Sequence, residues 1–449
     1  MMVKPGETAA LEPSRHNIVG AVPGSPSWFI VNPLSRQADI LSAEEAEALR
    51  TGTIVDAAAW AGKGYLVDPE AERKRFRQAY LDALEARQND EVQLFFAPWY
   101  ACNFACSYCY QAPYEASRKP LDPAVVDAFF AHVRTAFAGR RKYVTLFGGE
   151  PLLAGPAQRE SITSLVRGTA AAGLDLAIVT NGHELESYLP LLGEAHIREL
   201  QITLDGPEAV HDSRRPLRGG TGSFRSVVRG IDAALEQGFP VNLRAVVDRQ
   251  NLEALPALAE LAREHGWIGH PLFKTQLGRN YELHHCHGAP GQLYSRIELY
   301  QALYQLIGEH PEVLDFHRPA FSLARFLFDN GELPEPLFDS CPATKTEWAF
   351  DYTGQIYSCT ATVGKAGESL GTFYPEVSLD REAIAAWEDR DVLAISACST
   401  CNLQLACGGG CGAVAKNRTG RIAEPDCRPV DELLGLGIAL YGAKERILS

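Results

Sequence analysis

No stretch of this 449-residue sequence approaches the roughly 20 consecutive apolar residues that a membrane-spanning helix needs. The first residues, MMVKPGETAALEPSR, also lack the apolar core of a secretory signal. Positive charge is in deficit, since 42 Lys and Arg residues face 56 Asp and Glu residues, which gives a net charge of −14. A general nucleic-acid or anionic-membrane binder needs a basic surface. We therefore expect a cytoplasmic protein that binds neither nucleic acid nor membranes.

The composition predicts a packed core. Hydrophobic residues make up 46% of the chain and charged residues 22%, as in ordinary globular proteins. The length favours two or three domains rather than one.

Eleven cysteines need an explanation in a cytoplasmic protein, because disulfides are rare in that compartment. Three of them lie within 102–109 and seven lie between 341 and 427, so metal ligation is the leading interpretation. Cys286 stands apart, within the segment His284–His287. Adjacent residues on a strand alternate faces and cannot easily reach one ion, so we expect this segment to be an ordinary loop.

Residues 1–26 are predicted to be a loose lead-in to a small α+β domain, so that this domain spans 1–90. Strands are expected at 27–32 and 38–41, joined by a turn. Ser42 and Glu45 form a capping box, which predicts a helix through about Arg50. A further strand at 64–67 and a charged helix at 69–87 complete this unit.

From about residue 90, strand-like and helical runs alternate, which is typical of a parallel α/β fold. The expected strands are 92–97, 143–147, 174–180, 200–204, 241–247 and 272–277. The expected helices are 123–138, 160–172, 185–192, 224–237 and 252–264. Such a pattern predicts a partial (β/α)6 barrel over 91–330, with its active site at the C-terminal strand ends. Helices at 292–309 and 319–328 are expected to lead into a cysteine-rich domain at 331–449, which ends in a helix at 431–447.

Cys102, Cys106 and Cys109 follow the first strand of the predicted barrel. Three thiolates on one short loop can hold three irons of a four-iron cluster and leave the fourth iron open to a substrate. Zinc would normally need a fourth Cys or His, and this loop has none. The remaining alternative is three unrelated buried cysteines.

The segment CNFACSYCY, residues 102–110, resembles the signature of the radical SAM superfamily. This resemblance implies that the three cysteines hold a four-iron cluster whose open iron binds S-adenosylmethionine (SAM). One electron then cleaves the S–C5′ bond, and the 5′-deoxyadenosyl radical abstracts a hydrogen atom from the substrate. Tyr108 fills the position that lies near the adenine in that family.

Further segments resemble the SAM-binding motifs of the same family. Gly148-Gly149-Glu150 follows the second strand, where glycines allow a close backbone approach and a carboxylate can pair with the SAM ammonium. Segments 180–182 and 203–207 resemble those that flank the ribose and carboxylate, although ordinary strand-end turns have the same composition. Arg214, Arg215 and Arg244 are alternatives for the SAM carboxylate. The implied SAM contacts are Tyr108, Gly148, Gly149, Glu150, Thr180, Asn181, Thr203, Asp205 and Arg214.

The cysteine-rich tail resembles the SPASM domain, which normally holds two auxiliary four-iron clusters. By this resemblance, the outer cluster is held by Cys398, Cys401, Cys407 and Cys427. The inner cluster is held by Cys341, Cys359 and Cys411. The alternative is a zinc site built from Cys398, Cys401, Cys407 and Cys411, since the ligand spacings overlap.

The inner cluster would be one ligand short, because two four-iron clusters together need eight thiolates. Glu347, Cys286, a water or a substrate atom could fill the fourth position. A carboxylate is a harder ligand than iron–sulfur centres usually take. We expect an open site, with water at rest and substrate during turnover.

The resemblance implies a radical SAM/SPASM maturase that forms a C–C, thioether or ether cross-link in a ribosomally made peptide. Its partners would be a precursor peptide with a leader and an electron donor such as a flavodoxin or ferredoxin. The N-terminal domain resembles leader-binding domains and could pair with the leader at a sheet edge. The alternatives are a sulfatase-maturase type of formylglycine-generating enzyme and a non-catalytic iron–sulfur scaffold or electron carrier. No motif selects a catalytic base.

Overall fold

A computed structural model describes residues 11–54, 56–114, 119–280 and 291–448. Cys286 and the segment His284–His287 lie outside these ranges. Among the described helices, none combines the length and the apolar character that a membrane crossing needs.

The regular elements of the described residues are numbered in chain order. The strands are β1 (Glu12–Pro13), β2 (Ile18–Ala21), β3 (Trp28–Asn32), β4 (Gln37–Leu41), β5 (Leu66–Val67), β6 (Val92–Ala97), β7 (Lys142–Leu146), β8 (Asp175–Thr180), β9 (Ile197–Thr203), β10 (Val241–Val247), β11 (Phe273–Arg279), β12 (Glu347–Asp351), β13 (Gln355–Tyr357), β14 (Ser369–Thr372) and β15 (Ser378–Leu379). The α-helices are α1 (Ala43–Thr51), α2 (Ala57–Gly62), α3 (Pro69–Asn89), α4 (Pro123–Ala136), α5 (Pro156–Ala171), α6 (Leu185–Leu192), α7 (Glu208–Arg214), α8 (Phe224–Glu236), α9 (Leu255–Glu264), α10 (Arg296–Glu309), α11 (Val313–Phe316), α12 (Ala324–Asn330), α13 (Arg381–Glu388), α14 (Ser396–Ser399), α15 (Gln404–Cys407), α16 (Gly412–Thr419) and α17 (Val430–Leu448).

The chain divides into two compact units. The first unit contains the chain up to Gln88, the segment Pro319–Cys341 and the chain from Arg390 onward. The second unit contains Asn89–Arg318 and Pro342–Asp389. This division differs from the predicted boundaries near 90 and 330. The start and end of the chain share one unit, and 342–389 joins the barrel rather than the cysteine-rich tail.

The second unit is built on a ten-stranded sheet in the order β11-β10-β9-β8-β7-β6-β12-β13-β14-β15. Strands β6 to β11 are parallel and lie in chain order, which confirms the predicted α/β fold with a partial barrel. Strand β12 adds a further parallel strand beside β6, with Glu347 opposite Gln93. The sequence analysis missed β12 because no crossover helix of the βα alternation leads into it.

Helix α4 illustrates how the sheet is covered. Its start was predicted from Asp122 and Pro123, and the Asp122 side chain accepts a hydrogen bond from the Ala124 N–H. Phe129 of this helix is fully buried and packs against Phe96 of β6, with ring centroids 4.7 Å apart. Burial of one apolar helix stripe against the outer strand faces leaves the inner faces to line the barrel.

Three predicted helix starts were wrong by four or five residues. Helix α5 begins at Pro156 rather than 160, since Pro is favoured in the first turn of a helix. Helix α10 begins at Arg296 rather than 292, because Ser295 and Glu298 form a capping box there. Helix α12 begins at Ala324 rather than 319. Phe321 and Ser322 have φ values of 43° and 59°, outside the right-handed helical region, so a helix cannot run through them.

The first unit contains a three-stranded antiparallel sheet in the order β2-β3-β4. The prediction of a loose lead-in was therefore wrong for Ile18–Ala21, which pairs with Trp28–Asn32. A turn at Gly24, with φ 72°, joins these two strands. The capping box of Ser42 and Glu45 at the start of α1 is present as predicted.

The N-terminal elements and the tail share a core within the first unit. Leu34 and Phe76 pack with Phe338, Val392 and Leu405 from the later segments. Helix α17 packs against β2 at Gly435, where an added Cβ would lie 2.9 Å from the carbonyl oxygen of Ala21. The N-terminal strands are therefore part of the same packed body as the cysteine-rich tail.

Candidate functional site

The second unit contains a cavity of about 760 Å³ at which the predicted motifs meet. It brings together all three cysteines of the first cluster and seven of the nine predicted SAM contacts. The cavity-lining residues from the prediction are Cys102, Cys106, Cys109, Tyr108, Gly148, Gly149, Glu150, Thr180, Asn181 and Thr203. Most of these residues follow or end the parallel strands, where the βα pattern placed the active site.

The loop that follows β6 carries three neighbouring thiols. Burial raises the pKa of Cys102 to about 12, with smaller contributions from Glu150, Cys106 and Cys109. Burial also raises the pKa of Cys106. Thiols with such pKa values ionise only when a metal replaces the proton. Three soft, adjacent donors that face a cavity fit a four-iron cluster with one open iron.

No three His, Cys, Asp or Glu side chains in the described part of the chain are placed to hold a single metal ion. The thiolates of a four-iron cluster bind different irons and therefore stand further apart than the ligands of one ion.

Glu150 connects the strand ends of β7 and β8. Its Oε1 accepts hydrogen bonds from Thr180 Oγ1 at 2.6 Å and from Leu152 N at 2.8 Å, and its Oε2 accepts one from Asn181 N at 2.6 Å. Glu150 is 1% exposed, and burial raises its pKa to about 7 against the lowering effect of these hydrogen bonds. A carboxylate offers about four acceptor positions. The three hydrogen bonds therefore fix the position of the Glu150 carboxylate. Its oxygens can still accept one more hydrogen bond, from a cation in the cavity.

The two glycines before Glu150 are required by the cysteine loop itself. A Cβ on Gly149 would lie 2.2 Å from the carbonyl oxygen of Ala101, and one on Gly148 would lie 2.7 Å from that of Trp99. Gly148 also has a φ of 127°, which L side chains rarely adopt. Glu150 N donates to Ala101 O at 2.9 Å, so the glycines let the two loops pack backbone to backbone just before Cys102.

Asp205 and Arg214 do not line the cavity. The fully buried Asp205 accepts a hydrogen bond from the Tyr108 hydroxyl at 2.6 Å and pairs with Arg214 Nε at 3.2 Å. Arg214 also donates to Asp248 Oδ1 at 2.8 Å. Asp205 therefore holds the Tyr108 hydroxyl, while Arg214 pairs with Asp205 and lies over the Tyr108 ring, 5.0 Å from its centroid.

Arg215 and Arg244 do line the cavity. Arg215 Nη1 donates to the Tyr108 hydroxyl at 2.8 Å. The Nε atoms of Arg215 and Arg244 are buried and have no hydrogen-bond partner among the described residues. An unsatisfied buried donor costs free energy, so both are placed to receive an anion. The sequence named these arginines but could not separate them from Arg214.

The cavity also has a polar inner wall that the sequence analysis missed. Gln93 donates to Thr145 Oγ1 at 3.0 Å, and Gln201 donates to Gln276 Oε1 at 3.0 Å. These side chains alternate with apolar ones along strands that are covered by helices. Fully buried parallel strands read as continuous apolar runs, so this alternation was an available signal for a polar barrel interior.

In the first unit, the cysteines of the tail fall into two groups. Burial and the nearby thiols of Cys407, Cys427 and Cys401 raise the pKa of Cys398 to about 11. Burial, together with Cys341 among its neighbours, raises the pKa of Cys411. Cys398 thus has Cys401, Cys407 and Cys427 as neighbours, and Cys411 has Cys341. The assignment of these cysteines to two clusters stays a prediction.

Cys359 lies in the second unit, next to a residue of the cavity wall. The wall residue Thr360 donates its backbone N–H to Glu347 Oε1 at 2.9 Å. Burial raises the pKa of this carboxyl. Tyr110, which the sequence analysis did not name, lines the same cavity. Burial raises the pKa of its hydroxyl, and the nearby thiols of Cys109 and Cys359 raise that pKa further.

Comparison with known proteins adds independent information. The family model of the radical SAM superfamily matches residues 97–262. The AdoMet-dependent heme synthase of Methanosarcina barkeri is 29% identical over 184 residues, which are 40% of this chain and 50% of that protein. The serine-type anaerobic sulfatase-maturating enzyme of Klebsiella aerogenes is 30% identical over 154 residues, or 33% of this chain and 38% of that enzyme. The chain thus spans half or less of the length of these curated relatives.

Two solved structures share the fold. The structure of native anSMEcpe with bound AdoMet has a TM-score of 0.57 at 18% identity and covers 80% of this chain and 98% of that one. The structure of Streptococcus suis SuiB bound to precursor peptide SuiA has a TM-score of 0.51 at 15% identity. The SuiB alignment covers 93% of this chain and 99% of that one.

Proposed function

Because residues 97–262 match the family model of the radical SAM superfamily, we propose that this protein cleaves SAM reductively and uses the resulting radical to cross-link a peptide. In this proposal Cys102, Cys106 and Cys109 hold a four-iron cluster with one open iron. That cluster, reduced by a donor such as a flavodoxin or ferredoxin, supplies the electron that cleaves the S–C5′ bond of SAM. The 5′-deoxyadenosyl radical would abstract a hydrogen atom from an unactivated carbon, and the electron left over after the cross-link forms would pass to an auxiliary cluster.

The observation that carries the proposal is the arrangement of charges around the cavity. SAM presents an ammonium and a carboxylate on the same carbon. Glu150, Arg215 and Arg244 line the cavity that the three cysteines also line. The buried Nε atoms of both arginines have no hydrogen-bond partner within the described part of the chain. In our proposal Glu150 accepts a hydrogen bond from the SAM ammonium, and one of the two arginines donates to its carboxylate.

Tyr108 is assigned to the adenine side of the pocket. Its hydroxyl is held by Asp205 and Arg215, which fixes the ring at the cavity wall. Asp205 and Arg214 act on SAM only through this ring. The SAM contacts of the proposal are Tyr108, Gly148, Gly149, Glu150, Thr180, Asn181, Thr203 and Arg215 or Arg244.

We assign two auxiliary four-iron clusters to the seven later cysteines. The outer one is held by Cys398, Cys401, Cys407 and Cys427, and the inner one by Cys341, Cys359 and Cys411. Glu347 already accepts the Thr360 N–H. Because this carboxylate oxygen is already hydrogen-bonded, it is a poorer candidate for the fourth iron. The hydrogen bond therefore supports an inner cluster whose fourth position stays open to water or substrate.

A peptide is the proposed substrate. SuiB, whose fold matches 93% of this chain, was solved with a precursor peptide. A polar barrel interior suits the amide groups of a bound peptide. The proposed partner is a ribosomally made precursor whose leader pairs with the N-terminal sheet.

The second candidate is a formylglycine-generating activity of the sulfatase-maturase type. It is favoured by the sulfatase-maturating relative and by the fold shared with anSMEcpe over 80% of this chain. Tandem mass spectrometry of the peptide product separates the two. A cross-link suppresses backbone fragmentation between the joined residues, whereas formylglycine leaves a linear peptide whose aldehyde reacts with a hydrazide.

The first test is the formation of 5′-deoxyadenosine by anaerobically reconstituted enzyme. The triple variant Cys102→Ala, Cys106→Ala, Cys109→Ala is expected to form none, because an open iron needs all three thiolates. Ser107→Ala, an exposed change in the same loop, is the matched control and should retain the reaction. Turnover of SAM by the triple variant would overturn the proposal. A wild-type protein that binds iron but never cleaves SAM would instead be an iron–sulfur scaffold or electron carrier.

A further inference from the structure

The guanidinium of Arg390 lies inside the first unit, and only 1% of the residue is exposed. Its N–H groups donate to four backbone carbonyls rather than to solvent. The acceptors are Ile422 O at 2.9 Å, Gly410 O at 3.0 Å, Gly409 O at 2.8 Å and Glu424 O at 3.0 Å. A planar fork of five N–H donors suits such a divergent set of oxygens.

The four carbonyls belong to segments that carry cysteines. Two lie in the glycine run between Cys407 and Cys411, and two lie in the segment that precedes Cys427. Arg390 Nη1 also lies 4.0 Å from Asp339 Oδ1, which accepts the N–H of Cys341 at 2.9 Å. One buried cation therefore contacts three cysteine-bearing segments.

The glycine run requires this support. Gly408, Gly409 and Gly410 have φ values of 62°, 74° and 70°, three left-handed residues in succession. A Cβ on Gly410 would lie 2.0 Å from Asp426 O, so neighbouring segments already pack at backbone distance. Carbonyls in so tight a loop are shielded from water, and each would be costly without a donor. Arg390 supplies that donor for two of them.

We propose that Arg390 is the positioning residue of the outer auxiliary cluster. It holds the loops of Cys407 and Cys427 in ligating geometry, and its buried charge raises the reduction potential of the cluster. This inference rests on the proposed function, because it presupposes auxiliary clusters in the tail.

The electrostatic part follows from the position of the charge. The buried guanidinium donates to carbonyls of the segments that follow Cys407 and precede Cys427, so its positive charge lies beside the segments that carry the outer cysteines. Each reduction adds one electron to a cluster, and a nearby cation in a medium of low dielectric constant stabilises the added charge. Loss of Arg390 would also remove one of two arginines beside the Asp339 carboxylate, the other being Arg87 with its Nη1 3.9 Å from Asp339 Oδ2. The potential should therefore shift further in the negative direction.

Two substitutions separate geometry from charge. Arg390→Lys keeps the charge but replaces the fork by a point donor that cannot reach four carbonyls. Arg390→Gln removes the charge and keeps part of the donor capacity. Asp339→Asn removes the opposing charge and still accepts the Cys341 N–H. The matched control is Arg421→Gln, the same charge change at a side chain that is 72% exposed.

The experiment measures iron content and the EPR-monitored reduction potentials of the anaerobically reconstituted full chain. We expect Arg390→Lys to lose about four irons of about twelve, on the arithmetic of three four-iron clusters, with an unchanged potential in the clusters that remain. Arg390→Gln keeps part of the donor capacity and should lose only part of the outer-cluster iron, and the outer clusters that remain should have a more negative potential. Adding Asp339→Asn should move that potential back, and Arg421→Gln should change neither quantity.

The EPR signal of the SAM-binding cluster, and its change when SAM is added, reports whether each variant remains folded. The inference is wrong if Arg390→Lys keeps full iron and Arg390→Gln keeps the wild-type potential, while the wild type contains both auxiliary clusters. A wild type without auxiliary clusters overturns the proposed function of the tail and this inference with it. The two failures are thus distinguished by the wild-type iron count alone.

Discussion

The Oε2 atom of Glu150 accepts a hydrogen bond from the backbone N–H of Asn181 at 2.6 Å. This bond joins the turn after β7 to the turn after β8, and both turns line the cavity. The carboxylate therefore has two roles in our proposal: it fixes one strand end against the next and it binds the ammonium of SAM. The first role needs only hydrogen-bond acceptors, whereas binding the ammonium needs the negative charge of the ionised carboxylate.

Glu150→Gln is expected to weaken SAM binding by roughly 10- to 100-fold, since hydrogen bonds to charged groups contribute about 1.5–3 kcal/mol. The amide keeps the shape but only one acceptor oxygen, so the hydrogen bonds to the other oxygen position are lost. Iron content should be retained, while stability should fall by about 1–3 kcal/mol. Equilibrium dialysis of SAM against the anaerobic enzyme measures the effect. Glu186→Gln, on the exposed face of α6, is the control and should leave the affinity unchanged. Equal SAM affinity in both variants would remove Glu150 from the ammonium site.

The affinity for SAM should depend on pH through Glu150. Burial raises its pKa to about 7, so the carboxyl of the free enzyme is protonated below that value and ionised above it. Because the ammonium needs the ionised form, affinity should rise as pH increases through about 7 and then level off. Stability without SAM should change in the opposite sense. A raised folded-state pKa means that stability falls between about pH 4.5 and pH 7, by up to about 3 kcal/mol.

Dialysis between about pH 6 and pH 8 tests this dependence, a range that brackets the raised carboxyl pKa. Glu150→Gln should show a flat profile over the same range, because an amide does not titrate. A profile in the variant as steep as that of the wild type would assign the dependence to another group.

The position of Glu150 at the cavity could be predicted from the sequence. Which arginine faces the cavity and which pairs with Asp205 could not be predicted. The cysteine loop and the Gly-Gly-Glu turn are local patterns at strand ends, and parallel strands bring such turns together. Arg214 and Arg215 are adjacent at the end of α7, yet one pairs with Asp205 and the other faces the cavity. Their directions depend on the turn of the helix and on partners in β10, which the linear sequence does not display.

The domain boundaries also depend on contacts between distant segments, which local sequence patterns do not show. Strand β12 is a five-residue segment whose place beside β6 comes from long-range pairing rather than from its own pattern. Leu34 and Phe338 share a core although they are far apart in sequence. Sequence periodicity reports which face of an element is buried but not which distant element covers it.

Gly149→Ala is expected to destabilise the protein and to lower iron occupancy at the first cysteine loop. The added Cβ would lie 2.2 Å from Ala101 O, a backbone atom that cannot move without shifting Cys102. Overpacking of this kind typically costs about 1–3 kcal/mol. Urea unfolding and iron analysis measure the two effects. Gly219→Ala, where nothing lies within 4 Å, is the control. Wild-type iron in Gly149→Ala would mean that the loop tolerates the shift.

Metal analysis tests the tail. Ten cysteines in three four-iron clusters give about twelve irons per chain, provided that the enzyme is prepared anaerobically. The double variant Cys398→Ala, Cys427→Ala should lose about four of these irons and retain the SAM-binding cluster, because both residues belong to the outer set. About four irons with stoichiometric zinc in the wild type would show that the tail is a zinc domain.

The last prediction concerns the leader peptide. Removal of the first 90 residues is not a clean test, because Phe76 packs against Phe338 and the truncation would open the core of the tail. Strand β4 pairs only with β3 among the described strands, so its other edge is available for an added strand. Ile40 of this strand is 59% exposed and provides an apolar contact beside that edge.

We expect Ile40→Asp to weaken binding of a labelled leader peptide at least about tenfold, because the change replaces apolar contact area by a charge and peptides bind such edges through alternate side chains. SAM cleavage without peptide should stay at the wild-type rate, since Ile40 is not part of the cavity. Val377→Asp, at a side chain that is 61% exposed in the second unit, is the matched control. Fluorescence anisotropy measures the binding, and turnover of full-length precursor should fall in parallel at peptide concentrations below saturation. If both variants bind the leader as tightly as the wild type, the β4 edge is a structural surface and the leader docks elsewhere.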